Sequence, residues 1–199
     1  LHALLTTVKE LDVSGISGVE WDAIELPSQL MENFAWQWDV LYAMSRHRKS
    51  KEALPRTLFD RLFAAKNFQV GVKIIRQLGF LLFDLRIHSQ ENRPWMDIYR
   101  EIQRQLSVLP QADYDRFPHA FTHIFSGGYA AGYYSYLWAE VLSADAYDLF
   151  RRTEDRTKVG QRFWQEVLSR GGSRPAYQSF VAFVGREPKT EALLEQLGL

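Results

Sequence analysis

The sequence predicts an all-α protein, and three observations favour this fold class. Apolar residues recur at the spacing of a helix face, as at Leu30, Phe34, Trp38 and Leu41. Prolines stand where such periodic segments begin or end. No segment persistently alternates apolar and polar residues with the period of two that a half-buried strand shows. Because 199 residues can bury a substantial core, we expect residues 1–199 to form one all-α unit without a flexible interdomain linker.

The N-terminal part predicts two helices joined by a Gly/Ser loop. The opening LHALLTTVKEL has neither a Met nor an N-cap residue, so it is expected to continue a helix already in progress in a longer protein. After the loop VSGISG, Pro27 occupies a first-turn position. LMENFAWQWDVLYAMSRH then predicts one helix of about five turns. The basic, polar stretch RHRKSKEALP ends it.

Prolines also mark the helices in the middle of the chain. Pro55 opens RTLFDRLFAAKNF, and Pro94 precedes MDIYREIQRQLSVL, which Pro110 ends. Between them, FQVGVKIIRQLGFLLFDLRIHS is apolar on nearly every side, as expected for a helix buried in a bundle. The following stretch, QADYDRFPHAF, is less regular.

The C-terminal third predicts four more helices. The longest is expected from about Tyr129 to Arg152. The others are KVGQRFWQEVLSR, closed by Gly171 and Gly172, then AYQSFVAFVG and TEALLEQL.

The composition excludes several classes of function. The 24 basic and 24 acidic residues give no net charge, so neither nucleic acid nor an anionic membrane is an expected partner. The absence of cysteine excludes disulfides and thiolate chemistry and leaves His and carboxylates as the strong metal ligands. No apolar run approaches the roughly 20 residues that span a bilayer, and no signal pattern opens the chain. These features predict a soluble, cytoplasmic protein.

The segment HIFSGGYAAGYYSYLW concentrates tyrosines after a histidine and a glycine pair. On a helix, Tyr129, Tyr133 and Tyr136 would share one face. Aromatic stripes at helical spacing usually pack a core, and a lone histidine is usually structural. Buried phenols need hydrogen-bond partners, however, so three on one face also suit a row of donors. The residues alone leave both interpretations open.

A second group of polar residues lies in VEWDAIELPSQLMENF. Asp22, Glu25 and Glu32 surround a predicted helix start, and the neighbours of Glu25 are apolar. The Glu25 carboxylate could bind a cation, cap the helix or pair with an arginine. A lone glutamate normally does one of the last two.

Three phrases of the sequence resemble the C-terminal part of the thimet-oligopeptidase-like zinc metallopeptidases, and most closely the bacterial oligopeptidases of that family. The phrases are LHALLT, IELPSQLMENF and FPHAFTHIFSGGYAAGYYSYLWAEVLSADAY, and the resemblance runs from Leu1 to the C-terminus. It implies a multi-helix, zincin-like catalytic-domain fragment without the upstream HExxH helix, which carries two zinc histidines and the general base. It also implies one zinc ion per full-length protein, not held by this segment alone, and a missing N-terminal part as partner.

The resemblance implies roles for polar residues in and near VEWDAIELPSQLMENF. Glu25 matches the third zinc ligand, which completes a His, His, Glu set. Asp22 and Ser28, one turn to either side, would orient the ligands, with ordinary helix-start polar residues as an equal alternative. His2 follows the missing zinc helix, so an orienting or packing role is expected for it rather than ligation.

The resemblance also assigns the aromatic segment to substrate and transition state. Tyr136 would be the main donor to the oxyanion, with Tyr133 and His123 as supporting donors. Tyr129 and the backbone at Gly127 and Gly128 match a glycine-rich loop that closes over a peptide. Of the other histidines, His47 and His88 are expected to be solvated and His119 to be structural.

The sequence thus predicts part of a cytoplasmic enzyme that hydrolyses short peptides with zinc-activated water, and that is inactive as an isolated segment. A dipeptidyl carboxypeptidase of the same family is an alternative. An alternative from another class is a non-catalytic all-α interaction domain whose aromatic residues only form a core. Full burial of the tyrosines and His123 would favour that domain, whereas exposed groups that converge with Glu25 on one cleft would favour the peptidase.

Overall fold

The computed structural model describes residues 2–89 and 92–199, and within these ranges the regular structure is helical, with no strand. This confirms the predicted all-α fold. Leu1, where the resemblance and the opening helix begin, lies outside the described residues. The α-helices, numbered in chain order, are α1 (His2–Leu5), α2 (Trp21–Ile24), α3 (Leu26–Phe34), α4 (Trp38–Met44), α5 (Arg56–Ala65), α6 (Val70–His88), α7 (Trp95–Leu106), α8 (Phe117–Ala120), α9 (Ser135–Arg152), α10 (Arg156–Phe163), α11 (Ala176–Val184) and α12 (Glu191–Leu197).

Local sequence signals set many of these helix ends. Pro27 lies in the first turn of α3, and Pro55 and Pro94 directly precede α5 and α7, as predicted. Gly185 ends α11 in the left-handed conformation with φ of 88°. Helix α7 stops at Leu106, before the proline that was expected to end it.

The predicted five-turn helix after Pro27 is wrong, because α3 and α4 are separated at residues 35–37. Gln37 has an extended backbone, with φ of −90° and ψ of 136°. Its side-chain Nε2 donates to the Tyr147 hydroxyl at 2.6 Å, and its Oε1 accepts from Arg156 at 3.1 Å. These long-range hydrogen bonds involve the residue at which the helical pattern breaks.

The opening helix is shorter than its sequence pattern predicts. Helix α1 ends at Leu5, and residues 6–10 are not helical. The Trp164 indole donates to the Leu5 carbonyl at 2.9 Å, and the Thr7 amide donates to the Ser169 carbonyl at 3.0 Å. Distant residues therefore satisfy backbone groups that a longer helix would have used itself.

The segment after α10 ends at the glycine pair, as predicted, but through a different geometry. Residues Trp164–Leu168 form a π-helical turn, and Gly171–Ser173 form a 3₁₀ turn. A Cβ added to Gly172 would overlap the backbone of Ser17 and Gly18. The missing side chain therefore lets this turn pack against the Gly/Ser loop that precedes α2.

The contacts within the chain divide it into two compact units. The first contains Leu1–Phe68 and Trp138–Leu199, and the second contains Gln69–Leu137. The assignment of residues 1–199 to one portion of a catalytic domain stays a prediction. No helix in the described ranges is both long enough and apolar enough to cross a membrane.

Each unit has its own hydrophobic core. In the second unit, α6 packs on α7, with the rings of Phe83 and Tyr99 edge to face at 5.6 Å. The core of the first unit joins α2 and α3 to the C-terminal helices and contains Ala23, Leu26, Leu30, Leu142, Ala146, Tyr147, Phe150, Phe163, Val167, Leu168, Phe180, Phe183 and Val184.

Candidate functional site

Four residues predicted for substrate and transition-state contacts lie together in the second unit. The centroid of the His123 ring is 6.1 Å from those of Tyr129 and Tyr133 and 6.3 Å from that of Tyr136. Tyr129 and Tyr136 stack at 5.0 Å, and Tyr133 lies 5.1 Å from Tyr136. We call these four side chains the aromatic cluster. The structure therefore brings together the groups that the sequence singled out.

The predicted reason for this grouping was wrong, because the tyrosines do not share a helix face. Helix α9 begins at Ser135 rather than at Tyr129, and residues 130–134 form turns. Ala131 has a φ of 54°, in the left-handed region that a continuous right-handed helix excludes. Tyr129 and Tyr133 therefore reach Tyr136, the one of the three on α9, through a folded turn.

The aromatic cluster is open to solvent rather than sealed in a core. His123 is exposed, and the three tyrosines are partly exposed. Tyr133 is the member that packs against the core, with its ring 4.9 Å from Phe121 and 6.0 Å from Phe80. Burial raises the pKa of the Tyr133 phenol, and the neighbouring Tyr136 raises it further, against an opposing effect of Arg76. The phenol is thus kept protonated, the form that donates a hydrogen bond.

The glycine pair closes the loop between His123 and Tyr129. A Cβ on Gly127 would lie 2.7 Å from the His123 Cα and 2.9 Å from its carbonyl oxygen, so a side chain has no room there. Gly128 has a φ of 85°, which disfavours other residues. The Tyr129 amide donates to the His123 carbonyl at 2.9 Å, which holds these two residues side by side.

Asp84 on α6 is a residue of this region that sequence reasoning missed. Its side chain is fully buried, and its two carboxylate oxygens accept from the Ala131 and Tyr133 amides, each at 2.9 Å. His88 is exposed, as predicted, and its Nδ1 lies 2.9 Å from Asp84 Oδ1. The available signal was a single acidic residue inside the apolar run FLLFDL.

The predicted metal ligand Glu25 lies in the first unit, between α2 and α3. Leu26 and Pro27 beside it are buried, whereas Glu25 itself is partly exposed. The Ser28 hydroxyl lies 2.8 Å from Glu25 Oε2 and 2.9 Å from the Glu25 carbonyl oxygen. Asp22 stands exposed one turn earlier. Ser28 therefore contacts both the carboxylate and the backbone of Glu25, which is consistent with an orienting residue and with an ordinary helix-start residue alike.

Glu25 suits zinc as an oxygen ligand, but the described residues do not supply a complete site. Within residues 2–89 and 92–199, no three His, Cys, Asp or Glu side chains group so that they could hold a metal ion. A catalytic zinc site normally takes three protein ligands. The described part of the chain thus fits one ligand of such a site.

His2 at the start of α1 is a half-buried histidine with an unsatisfied atom. Its Nε2 is buried without a hydrogen-bond partner. Burial lowers the pKa of His2, partly offset by a hydrogen bond to the Val167 backbone. The ring is therefore favoured in its neutral form, and the predicted packing or orienting role of His2 stays a prediction.

Comparison with known proteins places the chain among peptidases. Residues 1–199 match peptidase family M3. Oligopeptidase A of Salmonella typhimurium is 48% identical over 204 residues, which cover 100% of this chain and 30% of that protein. Probable cytosolic oligopeptidase A of Arabidopsis thaliana is 43% identical over 208 residues, with the same coverage. Dipeptidyl carboxypeptidase of Salmonella typhimurium is 34% identical over 205 residues, again covering 100% of this chain and 30% of that protein.

These relatives define the class of protein, since each is named as a peptidase and matches the whole of this helical chain. The chain belongs to peptidase family M3. It spans 30% of the length of the relatives named above. The family predicted from the sequence phrases is thus confirmed.

Proposed function

We propose that the longer protein carrying this chain is a zinc-dependent oligopeptidase that hydrolyses peptide bonds in short peptides. The observation that carries the proposal is the solvent-open aromatic cluster, found in a chain of a peptidase family. A non-catalytic domain in which these aromatic residues only form a core would bury them, and none of the four is buried. Short peptides and the upstream part of the same protein are the proposed partners, with neither nucleic acid nor a membrane among them.

The aromatic cluster would act on the charge that develops during hydrolysis. Attack of water on a peptide carbonyl turns the carbonyl oxygen into an oxyanion, and a donor aimed at that position stabilises the transition state more than the ground state. We assign this role to the Tyr136 phenol, supported by Tyr133 and His123. Tyr129 and the backbone at Gly127 and Gly128 would bind the peptide chain.

Glu25 would supply one zinc ligand, and two histidines upstream of this chain would supply the others. The ion, when bound, would polarise the peptide carbonyl and make water nucleophilic at neutral pH. Ser28 would hold the Glu25 carboxylate in its binding orientation, and Asp22 and His2 would orient neighbouring groups. Because the isolated chain offers one ligand, we propose that it is inactive by itself.

The finer assignments follow the relatives. Identity is 48% with oligopeptidase A and 34% with dipeptidyl carboxypeptidase, which favours cleavage within short peptides over release of dipeptides. Mass spectrometry of the products separates these two, because dipeptide release gives C-terminal fragments of two residues, whereas internal cleavage also gives longer C-terminal fragments. The cytoplasm is the proposed compartment, as the name of the plant relative states for that protein.

The proposal is tested by removing one hydroxyl group from the longer enzyme. Tyr136→Phe keeps the ring and removes the donor, so kcat should fall about 10²- to 10³-fold with little change in KM. Tyr114→Phe is the matched control, because Tyr114 is 84% exposed and lies outside the aromatic cluster. Equal activity of the Tyr136→Phe and parent enzymes would remove Tyr136 from the oxyanion role. An enzyme without any peptidase activity would refute the proposed function itself.

A further inference from the structure

We propose that Asp84 is a positioning residue that holds the turn before α9 and thereby aims the Tyr133 phenol. The inference rests on the proposed function, in which Tyr133 is a supporting donor. Asp84 does not touch the peptide in this proposal. It acts on the backbone that carries Tyr133.

The contacts of Asp84 are directed at the turn. Asp84 Oδ1 accepts from the Ala131 amide and Oδ2 accepts from the Tyr133 amide, each at 2.9 Å. The two donors are two positions apart, so one carboxylate fixes the turn at both points. Asp84 lies 47 residues before the first donor and 49 before the second, which makes the contact a tertiary one.

Burial makes these hydrogen bonds important. The Asp84 side chain has an exposed fraction of zero, and a buried carboxylate without donors is strongly disfavoured. The two amides and the His88 ring, 2.9 Å away, supply polar partners. Because hydrogen bonds to a charged acceptor are stronger than neutral ones, the carboxylate ties α6 firmly to the turn.

Helix α6 holds the side chain of Tyr133 as well as its backbone. Phe80 lies four residues before Asp84 on α6, and its ring meets the Tyr133 ring edge to face at 6.0 Å. Residues four apart on a helix share a face. One face of α6 thus contacts both the Tyr133 ring and the Tyr133 amide, which together determine where the phenol points.

The backbone of Ala131 has a conformation that the hydrogen bond to Asp84 helps to hold. The left-handed conformation is unfavourable for a residue with a Cβ, and Ala131 adopts it with a φ of 54°. The hydrogen bond from its amide to Asp84 favours this conformation. Without it, the turn would relax towards ordinary backbone angles, and Tyr133 would move with it.

The test uses Asp84→Asn in the longer enzyme. The amide group has one acceptor oxygen, and its NH₂ group cannot accept from the second backbone amide. Hydrogen exchange at the one of the Ala131 and Tyr133 amides that loses its acceptor should therefore accelerate about 10- to 100-fold, the change expected for one lost hydrogen bond to a charged group. Amides within α7 should exchange as before. Asp97→Asn, which changes a half-exposed aspartate on α7 of the same unit, is the control and should leave exchange and activity unchanged.

Kinetics separate positioning from general destabilisation. Asp84→Asn should lower kcat about 10- to 100-fold with little change in KM, as expected for a misplaced catalytic group. In a Tyr133→Phe background the same substitution should cost much less, because the hydroxyl that it misplaces is already absent. Adding Ala131→Gly to Asp84→Asn should restore part of kcat, since glycine adopts the left-handed conformation without a Cβ.

Three results would overturn the inference. The first is fast exchange of the Ala131 and Tyr133 amides in the parent protein. The second is an equal loss of kcat when Asp84→Asn is made in the parent and in the Tyr133→Phe enzyme. The third is faster exchange throughout the second unit in Asp84→Asn. The measurement on the parent protein decides the matter even if Asp84→Asn does not fold. If the longer protein is not a peptidase, the proposed function fails while the exchange measurements still test whether Asp84 holds the turn.

Discussion

Gly172→Ala should destabilise the protein, although it adds only one methyl group. The added Cβ would overlap the Ser17 carbonyl oxygen and lie 2.5 Å from the carbonyl carbon and 2.8 Å from the Cα of Gly18. All three are backbone atoms, which cannot move aside as the end of a flexible side chain can. The turn or the Gly/Ser loop must therefore shift as a whole.

The size of the effect follows from two opposing contributions. Forcing an extra carbon into a packed site typically costs about 1–3 kcal/mol. Replacing glycine with alanine also restricts the unfolded chain, which stabilises by about 0.4–1 kcal/mol where the native backbone is compatible. The steric cost is larger, so we expect a net loss of about 1–2 kcal/mol. For a chain of this size the midpoint of thermal unfolding should fall by about 2–4 °C per kcal/mol.

The assay is thermal and urea unfolding followed by circular dichroism, with Gly71→Ala as the matched control. Gly71 lies in the first turn of α6, and a Cβ there would meet no atom within 4 Å. The same substitution should therefore stabilise at that position, by about 0.5–1 kcal/mol. A Gly172→Ala protein as stable as the parent would refute the packing argument. Equal destabilisation by both substitutions would refute it as well.

Three further predictions concern an ion pair with a buried carboxylate, a tyrosine and the proposed metal ligand. Asp145→Asn should cost about 1.5–3 kcal/mol in unfolding free energy, because Asp145 is 1% exposed and accepts from both Nη atoms of Arg186 at 2.8 and 2.6 Å, whereas Arg186 is 38% exposed and stays solvated without its partner; no loss in urea unfolding would contradict this. The raised pKa of Tyr133 stabilises the fold fully below the unfolded value of about 10, and this contribution is lost as pH rises through the folded pKa. An ultraviolet titration should therefore lose a late-ionising phenol in Tyr133→Phe, and an unchanged curve would argue against the burial effect. Glu25→Gln in the longer enzyme should lower zinc content and activity together at limiting zinc, and full zinc binding by this variant would exclude Glu25 as a ligand. Ser28→Ala should weaken zinc binding by about 10- to 100-fold.

Helix starts marked by proline could be predicted because the signal is local. Pro27, Pro55 and Pro94 all stand at or just before a helix start. The break between α3 and α4 could not be predicted, because Gln37 makes its hydrogen bonds with Tyr147 and Arg156, more than a hundred residues away. A sequence pattern describes what one segment favours by itself, whereas such breaks depend on partners from elsewhere in the fold.

The candidate site likewise has features that the sequence predicted and features that depend on distant residues. The grouping of His123 with the tyrosines was predicted through family resemblance, and the structure places the four rings together. Helical spacing also grouped the tyrosines, but the reason was incorrect. The helix-like spacing of apolar and aromatic residues continues through a turn that is hydrogen-bonded to Asp84. The role of Asp84 was not predictable from spacing, since its partners lie 47 and 49 residues further along.

The discontinuous first unit affects the order in which the protein can fold during synthesis. Leu30 and Phe180 belong to one core, although about 150 residues separate them, and ribosomes add about 5–20 residues per second. Leu30 and its neighbours must therefore wait roughly 8–30 s after synthesis before that core can be completed. The second unit, Gln69–Leu137, is continuous in sequence and is complete before the last part of the first emerges. During this interval the apolar faces of α2 and α3 lack their final partners, so these early helices are exposed to chaperones and to aggregation.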